Sequence, residues 1–323
     1  MTAPIGLVAD IGGTNVRFAL VGADGTMSAV ANLRCADYPG PAEAARAYLQ
    51  RAGAAMPPRA AFCVASPVNG DVVSMTNSPW CFSTSGVAET LGVVHLDVVN
   101  DFTAVALCLP HLGPEDSRPV GGGTPQPDGT IGVLGPGTGL GVAGLVPARD
   151  AWVPIPGEGG HVTMAAANDH EARVLATLRE RFGHVSAERV LSGPGLVNLY
   201  TALCRLNGRD AQDLAPDQIT DGALEGTCPM CRAALDLFFA MLGTVAGDLA
   251  LTLGARGGIY IAGGILPDMP DAFAASDFRA RFEDKGRFRG YMAGVPARLI
   301  LHPYPAFLGL AGLLHEEGPR VAL

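Results

Sequence analysis

The chain has 323 residues, a length typical of about two domains of roughly 150 residues each. Hydrophobic residues make up 48% and charged residues 16%, so the chain can bury a sizeable core and is not disordered. The net charge of -9 makes nucleic acids and anionic membranes poor partners on electrostatic grounds. Lys285 is the only lysine and lies in neither a Walker A loop nor a protein-kinase motif, which excludes both classes.

Cysteine usage indicates a reducing compartment. The seven cysteines are an odd number spread through the chain, which is not the pattern of a disulfide framework. Cys228-Pro-Met-Cys231 has the spacing of half a zinc site, but no second cysteine or histidine pair completes it. Pro229 suits the first turn of a following helix, so we interpret this motif as structural.

No segment of the sequence predicts targeting or membrane insertion. Asp10 and Arg17 interrupt the apolar start of the chain, so we expect no signal peptide. The uncharged stretch 130–148 contains six glycines and two prolines, from which a lipid-exposed helix cannot be built. We therefore expect a cytoplasmic protein that binds neither membrane nor nucleic acid.

Strands and helices alternate along the first half. A glycine turn at residues 10–15 separates two apolar runs, which predicts a hairpin at the start of the chain. The last predicted strand ends in Asn100-Asp101, which places Asp101 close to the N-cap of the next helix. The predicted elements are strands at 5–9, 16–21, 61–65 and 93–99, and helices at 42–54 and 102–109.

The strand–turn–strand pattern recurs after residues 111–130, a stretch rich in Pro, Gly and charge that reads as a linker or surface excursion. Strands at 131–134 and 142–146 flank a second glycine turn, which suggests an internal duplication. The alternation throughout favours an α/β fold in two lobes with a cleft between them. The remaining predicted elements are helices at 169–181, 193–206, 231–252 and 306–315, and strands at 258–262 and 298–301.

Both glycine turns are candidate phosphate loops. In Asp10-Ile-Gly-Gly-Thr-Asn15, successive backbone N–H groups can form an anion-binding concavity, and Asp10 could hold Mg²⁺ through water. The alternative is an ordinary hairpin turn. The segment 135–141 is denser in glycine than a turn requires, although a bulged strand would also need glycine. Residues 139–144 match G-x-G-x-x-G, but no helix follows, which argues against a dinucleotide site.

A second group of candidates is polar. Asp101 is either a helix cap or a catalytic base, since it follows a strand end where α/β sheets place catalytic groups. Glu158, His161 and Glu188 lie on loops and offer the donors and acceptors that a polyhydroxylated ligand needs. No second histidine at ligand spacing supports His161 as a zinc ligand.

Taken together, these motifs resemble bacterial glucokinases of the proteobacterial type, in the sugar kinase, actin and heat-shock ATPase superfamily. The resemblance covers essentially the whole chain, and Pro136 in the second glycine loop is a departure from the family pattern. It implies a two-lobed actin-like (ribonuclease-H-like) α/β fold, each lobe a mixed sheet flanked by helices, with residues 1–111 plus 300–323 in a small lobe and 112–299 in a large one. The blocks that carry it are 10–15, 76–77, 100–104, 137–141, 156–161, 183–195, 262–265 and 282–288.

The resemblance also implies site roles for an ATP:D-glucose 6-phosphotransferase that uses ATP and Mg²⁺ and forms a homodimer. Asp101 would be the general base on the sugar 6-hydroxyl, with Asn77, Asn100, Glu158, His161 and Glu188 as sugar ligands. The nucleotide contacts would be Asp10, Gly12, Gly13, Thr14, Asn15, Gly137, Thr138, Gly139, Gly263 and Gly264. The alternatives are a kinase for another hexose, such as mannose or an amino sugar, and a sugar-sensing regulator that transfers no phosphate.

Overall fold

The structure is a computed structural model that describes residues 4–75, 78, 80–149, 151–314 and 320–321. The chain divides into two compact units, one formed by Met1–Gly113, Pro147–Pro156 and His302–Leu323, the other by Pro114–Val146 and Gly157–Leu301. The elements up to the first boundary are β1 (Gly6–Ile11), β2 (Asn15–Val21), β3 (Met27–Arg34), α1 (Pro41–Ala52), β4 (Arg59–Val64), β5 (Val72–Ser74), β6 (Cys81–Ser83), α2 (Thr84–Leu91), β7 (His95–Asn100) and α3 (Asp101–Cys108).

The remainder of the chain is richer in helix. Its elements are β8 (Ser117–Pro119), β9 (Ile131–Pro136), β10 (Leu140–Ala148), β11 (Ala151–Gly157), α4 (Asp169–Phe182), α5 (Gly193–Leu206), α6 (Pro216–Leu224), α7 (Pro229–Leu253), β12 (Gly258–Ile261), α8 (Pro270–Ala274), α9 (Phe278–Glu283), α10 (Arg289–Ala293), β13 (Ala297–Ile300), α11 (Pro305–Leu314) and β14 (Arg320–Val321).

The sheet of the first unit has the strand order β3-β2-β1-β4-β7. β2 is antiparallel to β1, whereas β4 is parallel to both β1 and β7. Side chains alternate along β1, so that Leu7 and Ile11 pack into one buried cluster with Tyr48 of α1, and Val8 packs into another with Phe307 of α11. Helices therefore cover both faces of this sheet, and the carboxyl ends of β1, β4 and β7 meet at one edge.

The sheet of the second unit repeats this pattern, since it includes β10-β9-β12-β13 in that order. β10 is antiparallel to β9, and β12 is parallel to both β9 and β13, as β4 is to β1 and β7. The predicted internal duplication is confirmed at the level of strand topology. The buried cluster of this unit includes side chains of α5 and α7, among them Leu199 and Phe238.

Most sequence-based elements are confirmed with boundary shifts of a few residues, and so is the position of Asp101 close to a helix N-cap. Asn100 is the N-cap of α3, with its Oδ1 accepting from Phe102 N and Thr103 N, and Asp101 is the first helical residue. Part of the expected linker 111–130 forms β8, which pairs with β13. This strand is too short for a periodic signal, and the contact that fixes it is remote: Arg298 Nε donates to Ser117 Oγ at 2.9 Å. His315, at the end of the last predicted helix, lies outside the described residues.

Within the described residues, α7 is the one helix that is long and apolar enough to span a membrane by length and composition. The most apolar part of α7 is 67% buried inside the protein, as expected for a core helix. The stretch 130–148, which we considered from sequence, forms β9, a turn and β10.

Candidate active site

In the first unit, Asp10 stands at the edge where the parallel strands end. Its neighbours in the strand register are Arg17 on β2 and Cys63 on β4. The Cys63 Sγ lies 3.6 Å from Asp10 Oδ1, and burial raises the pKa of Asp10, with the Cys63 hydrogen bond and the Arg17 charge opposing this shift. The hydrogen bond from Cys63 and the charge of Arg17 therefore do not fully offset the cost of burying the ionised carboxylate. A cation placed against Asp10 would offset more of this cost.

The turn after Asp10 is a tight hairpin. Gly12 N donates to Asn15 O at 2.9 Å, and Cys35 N donates to Thr14 O at 2.9 Å, which fixes the turn against the start of the next loop. Gly12 and Gly13 are partly exposed, whereas Thr14 and Asn15 are exposed. The predicted hairpin is confirmed, and phosphate binding by this turn stays a prediction.

Asn100 and Asp101 lie at the carboxyl end of β7 and the start of α3. Asn100 uses its Oδ1 as the helix cap, while its Nδ2 donates to Ser66 O at 3.4 Å. Asp101 Oδ1 accepts from Phe102 N at 2.8 Å, and the side chain is partly exposed. The helix start therefore orients the Asp101 carboxylate, and it carries a negative charge where the helix dipole favours one.

In the second unit, the ends of β9 and β12 lie against each other. A Cβ on Gly135 would lie 2.6 Å from the Ala262 carbonyl carbon, and one on Gly263 would lie 2.2 Å from Pro136 O. Gly263 also has a φ of 92°, a backbone conformation that favours glycine. The second glycine turn and the Gly263-Gly264 segment thus form one backbone-lined surface, with Thr138 and Gly264 exposed on it.

Pro136 is the last residue of β9 and pairs in register with Leu140. Beyond it, Gly137 N donates to Gly139 O, and Gly193 N donates to Gly137 O, both at 2.8 Å. Hydrogen bonds from the backbone N–H of Gly137 and to its carbonyl oxygen therefore hold the turn.

Glu158, His161 and Glu188 approach this turn from two loops. A Cβ on Gly160 would lie 2.1 Å from Leu140 O, so the loop that carries Glu158 and His161 packs directly on β10. The Glu158 Oε2 and His161 Nε2 atoms are 3.9 Å apart, and both side chains are 62% exposed. Glu188 Oε2 accepts from Leu140 N at 2.9 Å, which joins the second loop to the same strand.

The structure thus brings together the predicted residues of each unit. Asp10 and Asp101 share one sheet edge of the first unit, with Cys63 interacting electrostatically with both. Glu158, His161 and Glu188 lie beside the glycine turn of the second unit. Asn77 lies outside the described residues. Within the described part of the chain, no group of three or more His, Cys, Asp or Glu side chains is arranged to hold a metal ion.

Sequence reasoning missed two residues beside Asp10. It used Arg17 only as evidence against a signal peptide, although a hairpin centred on Gly12–Thr14 makes Arg17 the cross-strand partner of Asp10. Cys63 could not be found in this way, because its position depends on the parallel register between β1 and β4.

Comparisons with known proteins agree with this architecture. A glucokinase from an Antarctic psychrotroph superposes with a TM-score of 0.88 at 38% identity, covering 98% of this chain and 100% of the other. A ROK family glucokinase from Streptomyces griseus, in complex with glucose and AMPPNP, shares the fold with a TM-score of 0.63 at 18% identity, over 95% of this chain and 98% of the other. The fold is the actin-like α/β fold of sugar kinases.

Sequence comparison defines the family. The glucokinase family model matches residues 7–317. The glucokinase of Paramagnetospirillum magneticum is 58% identical over 96% of this chain and 97% of its own, and that of Aromatoleum aromaticum is 50% identical over 95% and 94%. The chain belongs to the glucokinase family.

Proposed function

We propose that this protein transfers the γ-phosphoryl group of ATP to the 6-hydroxyl of D-glucose, forming glucose 6-phosphate and ADP. The observation that carries this assignment is membership of the glucokinase family, with 58% identity to a named glucokinase over 96% of the chain. Phosphoryl transfer demands mainly positioning and charge neutralisation from a protein. Backbone-lined turns, rather than lysines, meet that demand here, because Lys285 binds Asp248 and the Thr244 carbonyl on α7.

Asp101 is the proposed general base. Its place in the first turn of α3 supports this role, since Oδ1 accepts from Phe102 N and fixes the carboxylate orientation. In the proposed step, Asp101 accepts the proton of the sugar 6-hydroxyl as that oxygen attacks the γ-phosphorus. The proton-transfer contribution of such a base is typically 10²–10⁴-fold in rate.

The sugar hydroxyls are the proposed partners of Glu158, His161 and Glu188, together with Asn77 and Asn100. The exposed Glu158–His161 pair offers both an acceptor and a donor from one loop. Asn100 can contribute only through Nδ2, because its Oδ1 caps α3. Sites that hydrogen-bond a substrate hydroxyl strongly reject analogues without it, so this set would discriminate among hexoses.

The two glycine turns are the proposed phosphate loops, and Gly263-Gly264 the proposed adenosine contact. The close packing of Gly263 on Pro136 supports a common nucleotide surface at the ends of β9 and β12. In the first unit, the nucleotide contacts are proposed at Gly12, Gly13, Thr14 and Asn15.

Asp10 fits a Mg²⁺ ion held largely through water. Mg²⁺ prefers oxygen ligands, usually keeps several waters and needs one or two carboxylates besides substrate phosphates. The Asp10 carboxylate is partly buried with a raised pKa, so a nearby cation would offset the cost of its ionisation. When bound, the ion would neutralise the charge that develops on the transferring phosphate.

We further propose that the protein acts in the cytoplasm as a homodimer. All seven cysteines lie in the described residues and are free thiols, as in a reducing compartment. The homodimer rests on the resemblance to proteobacterial glucokinases, and sedimentation of the purified protein tests it.

An ADP-release assay on the purified protein tests the proposed function. The panel comprises glucose, mannose, glucosamine and 6-deoxyglucose, with ATP, ADP and polyphosphate as donors. We expect the highest kcat/KM with glucose and ATP, and no transfer to 6-deoxyglucose, which lacks the accepting hydroxyl. For the ADP and polyphosphate donors, glucose 6-phosphate is measured instead. Higher kcat/KM with another hexose would reassign the substrate, and binding of glucose without turnover would identify a sensor.

A further inference from the structure

Three cysteines that have no part in the proposed reaction lie together in the second unit. Cys204 belongs to α5, Cys228 is the N-cap of α7, and Cys231 stands one turn into α7. Cys228 Sγ accepts from Cys231 N at 3.2 Å, and Cys228 lies close enough to contribute to the raised pKa of the Cys231 thiol. Burial, with a smaller contribution from the nearby Cys204, raises the pKa of both Tyr200 and Cys231.

The two cysteines of the Cys-Pro-Met-Cys motif differ in accessibility. Cys228 is partly exposed, whereas Cys231 is fully buried, as is nearly all of Cys204. Burial, the Cys228 side chain and the Cys204 charge raise the pKa of Cys231 to about 12. An external reagent would therefore meet the Cys228 sulfur first, with Cys231 protonated behind it.

Cys228 is the more accessible of the two sulfurs, at the start of the 25-residue helix α7, where it accepts from Cys231 N. Pro229 occupies the first helical turn, and the preceding residues Gly226 and Thr227 are exposed, with Gly226 at a φ of 73°. Both side chains border the same point, because a Cβ on Gly222 would lie 3.3 Å from Cys228 Cβ and 3.6 Å from Cys231 Sγ. A disulfide needs its two Cβ atoms roughly 3.5–4.5 Å apart.

We propose that Cys228 and Cys231 form a redox-active dithiol that closes to an intramolecular disulfide by exchange with a low-molecular-weight disulfide such as glutathione disulfide. The Cys228 thiolate attacks one glutathione sulfur and expels glutathione thiolate, which takes up the proton released from Cys228. Cys231 then loses its proton and attacks the Cys228 sulfur, expelling the second glutathione, which takes up that proton. Two protein thiols are oxidised and one glutathione disulfide is reduced to two thiols.

Peptide mapping tests the proposal on the full-length protein. Incubation in reduced and oxidised glutathione mixtures is followed by acid quench, alkylation, digestion after arginine and mass spectrometry. Cleavage after Arg209 and Arg232 gives peptide 210–232, which contains both Cys228 and Cys231 and no other cysteine. We expect a growing fraction of this peptide to escape alkylation at both sulfurs, with a mass two hydrogens below that of the unalkylated dithiol, and to return to the doubly alkylated form after dilution into reduced glutathione.

Three other results would overturn the proposal. These are alkylation of both thiols in every mixture, a stable glutathione adduct on Cys228, and a cross-link to peptide 190–205, which carries Cys204. The buried thiols of Cys35, Cys63 and Cys108 report on folding, because they stay alkylation-resistant before denaturation only in the folded protein.

Serine variants distinguish Cys228, the thiol that attacks glutathione disulfide, from Cys231, the thiol that closes the intramolecular disulfide. Cys231→Ser should trap the glutathione adduct on Cys228, whereas Cys228→Ser should leave Cys231 reduced and keeps a good helix cap. Cys204→Ser is the matched control, for which we expect the same intramolecular disulfide as in the unaltered protein. Equal glutathione adducts at Cys228 with and without Cys231 would show that the two thiols do not act together.

Discussion

Glu188 Oε2 accepts a hydrogen bond from the backbone N–H of Leu140 at 2.9 Å, and the same oxygen would lie 2.5 Å from a Cβ on Gly139. The carboxylate proposed to bind sugar is therefore also part of the support of the second glycine turn. Leu140 is 5% exposed, so removal of Glu188 leaves a buried N–H without this acceptor. Glu158, at 62% exposure, has no such role in the described structure.

This difference predicts separate kinetic effects for the two glutamates. Glu188→Ala should raise the KM for both glucose and ATP, because the unpaired N–H costs about 1–3 kcal/mol, and the turn loses its anchor. Glu158→Ala should raise only the glucose KM, by about tenfold or more, for loss of hydroxyl contacts. Steady-state kinetics with each substrate varied in turn measures both effects.

Glu188→Gln is the control, because a glutamine Oε1 can still accept from Leu140 N. It should keep the ATP KM near that of the unaltered protein while weakening glucose. An unchanged ATP KM in Glu188→Ala would mean that the Leu140 bond does not support the nucleotide turn.

Adjacent glycines provide a matched pair at the proposed adenosine contact. Gly263→Ala places a Cβ 2.2 Å from Pro136 O at a φ of 92°, whereas a Cβ on Gly264 meets no described heavy atom within 4 Å. Backbone strain of this kind costs about 1–3 kcal/mol before the overlap is counted. We expect Gly263→Ala to lower Tm and raise the ATP KM at least about tenfold, and Gly264→Ala to leave Tm unchanged. Equal Tm values for the two variants would contradict the packing of β9 on β12.

The ionised Asp10 carboxylate is proposed to serve the reaction, but it should lower the free energy of unfolding. Because its pKa is raised above 3.8, the folded state binds the proton more tightly than the unfolded state does. The ionised carboxylate therefore lowers the free energy of unfolding at neutral pH, and this penalty fades as the pH falls through the raised pKa. We expect Asp10→Asn to be more stable than the unaltered protein without Mg²⁺ and nucleotide, with a gain that shrinks in acid. Urea unfolding from neutral pH down to the ordinary pKa of 3.8 measures it.

Asp71 is the control, because its pKa is shifted in the opposite direction and its ionised carboxylate should raise the free energy of unfolding. Hydrogen bonds from Ser83, Ser85 N and Thr84 hold the pKa of Asp71 well below its usual 3.8. Its stabilisation is present above pH 3.8 and is lost as the pH falls through the lowered value. Asp71→Asn should therefore be less stable at neutral pH. A destabilised Asp10→Asn would show that burial does not dominate at Asp10.

A buried ion pair should matter most for the stability of the second unit. Glu171 is 1% exposed, and its carboxylate accepts from Arg281 Nη1 at 2.6 Å and from Ala167 N at 2.8 Å. Glu171→Ala leaves the arginine charge without this partner, and we expect a loss of about 3–5 kcal/mol in the free energy of unfolding. The exposed Glu180–Arg205 pair, 2.7 Å apart, is the control, with about 0–1 kcal/mol expected for Glu180→Ala. Similar losses in urea unfolding would contradict this ranking.

Local sequence signals predicted the elements but not the contacts between them. Short apolar runs on either side of a glycine turn located β1 and β2, and helical spacing located α7, because both signals lie within one segment. Asn100 and Asp101 are comparably good caps, so the choice between them needed the backbone.

The site contacts were beyond such reasoning because they join distant positions. Cys63 meets Asp10 only through the parallel register of β4 on β1, and Glu188 meets Leu140 across 48 positions of the chain. The family motifs named Asp10, Glu158 and Glu188 but carried no information on which of them also supports the fold.

The central claim is that Asp101 acts as the base, and the Asp101→Asn variant tests it most directly. An asparagine Oδ1 can still accept from Phe102 N, so the start of α3 should be preserved. The measurement is kcat for ADP formation, alongside the glucose Kd from calorimetry. We predict a kcat about 10²–10⁴-fold lower with a Kd within a few-fold of the unaltered protein. A kcat within a few-fold of the unaltered protein would contradict the account and leave Asp101 with a role only at the helix start.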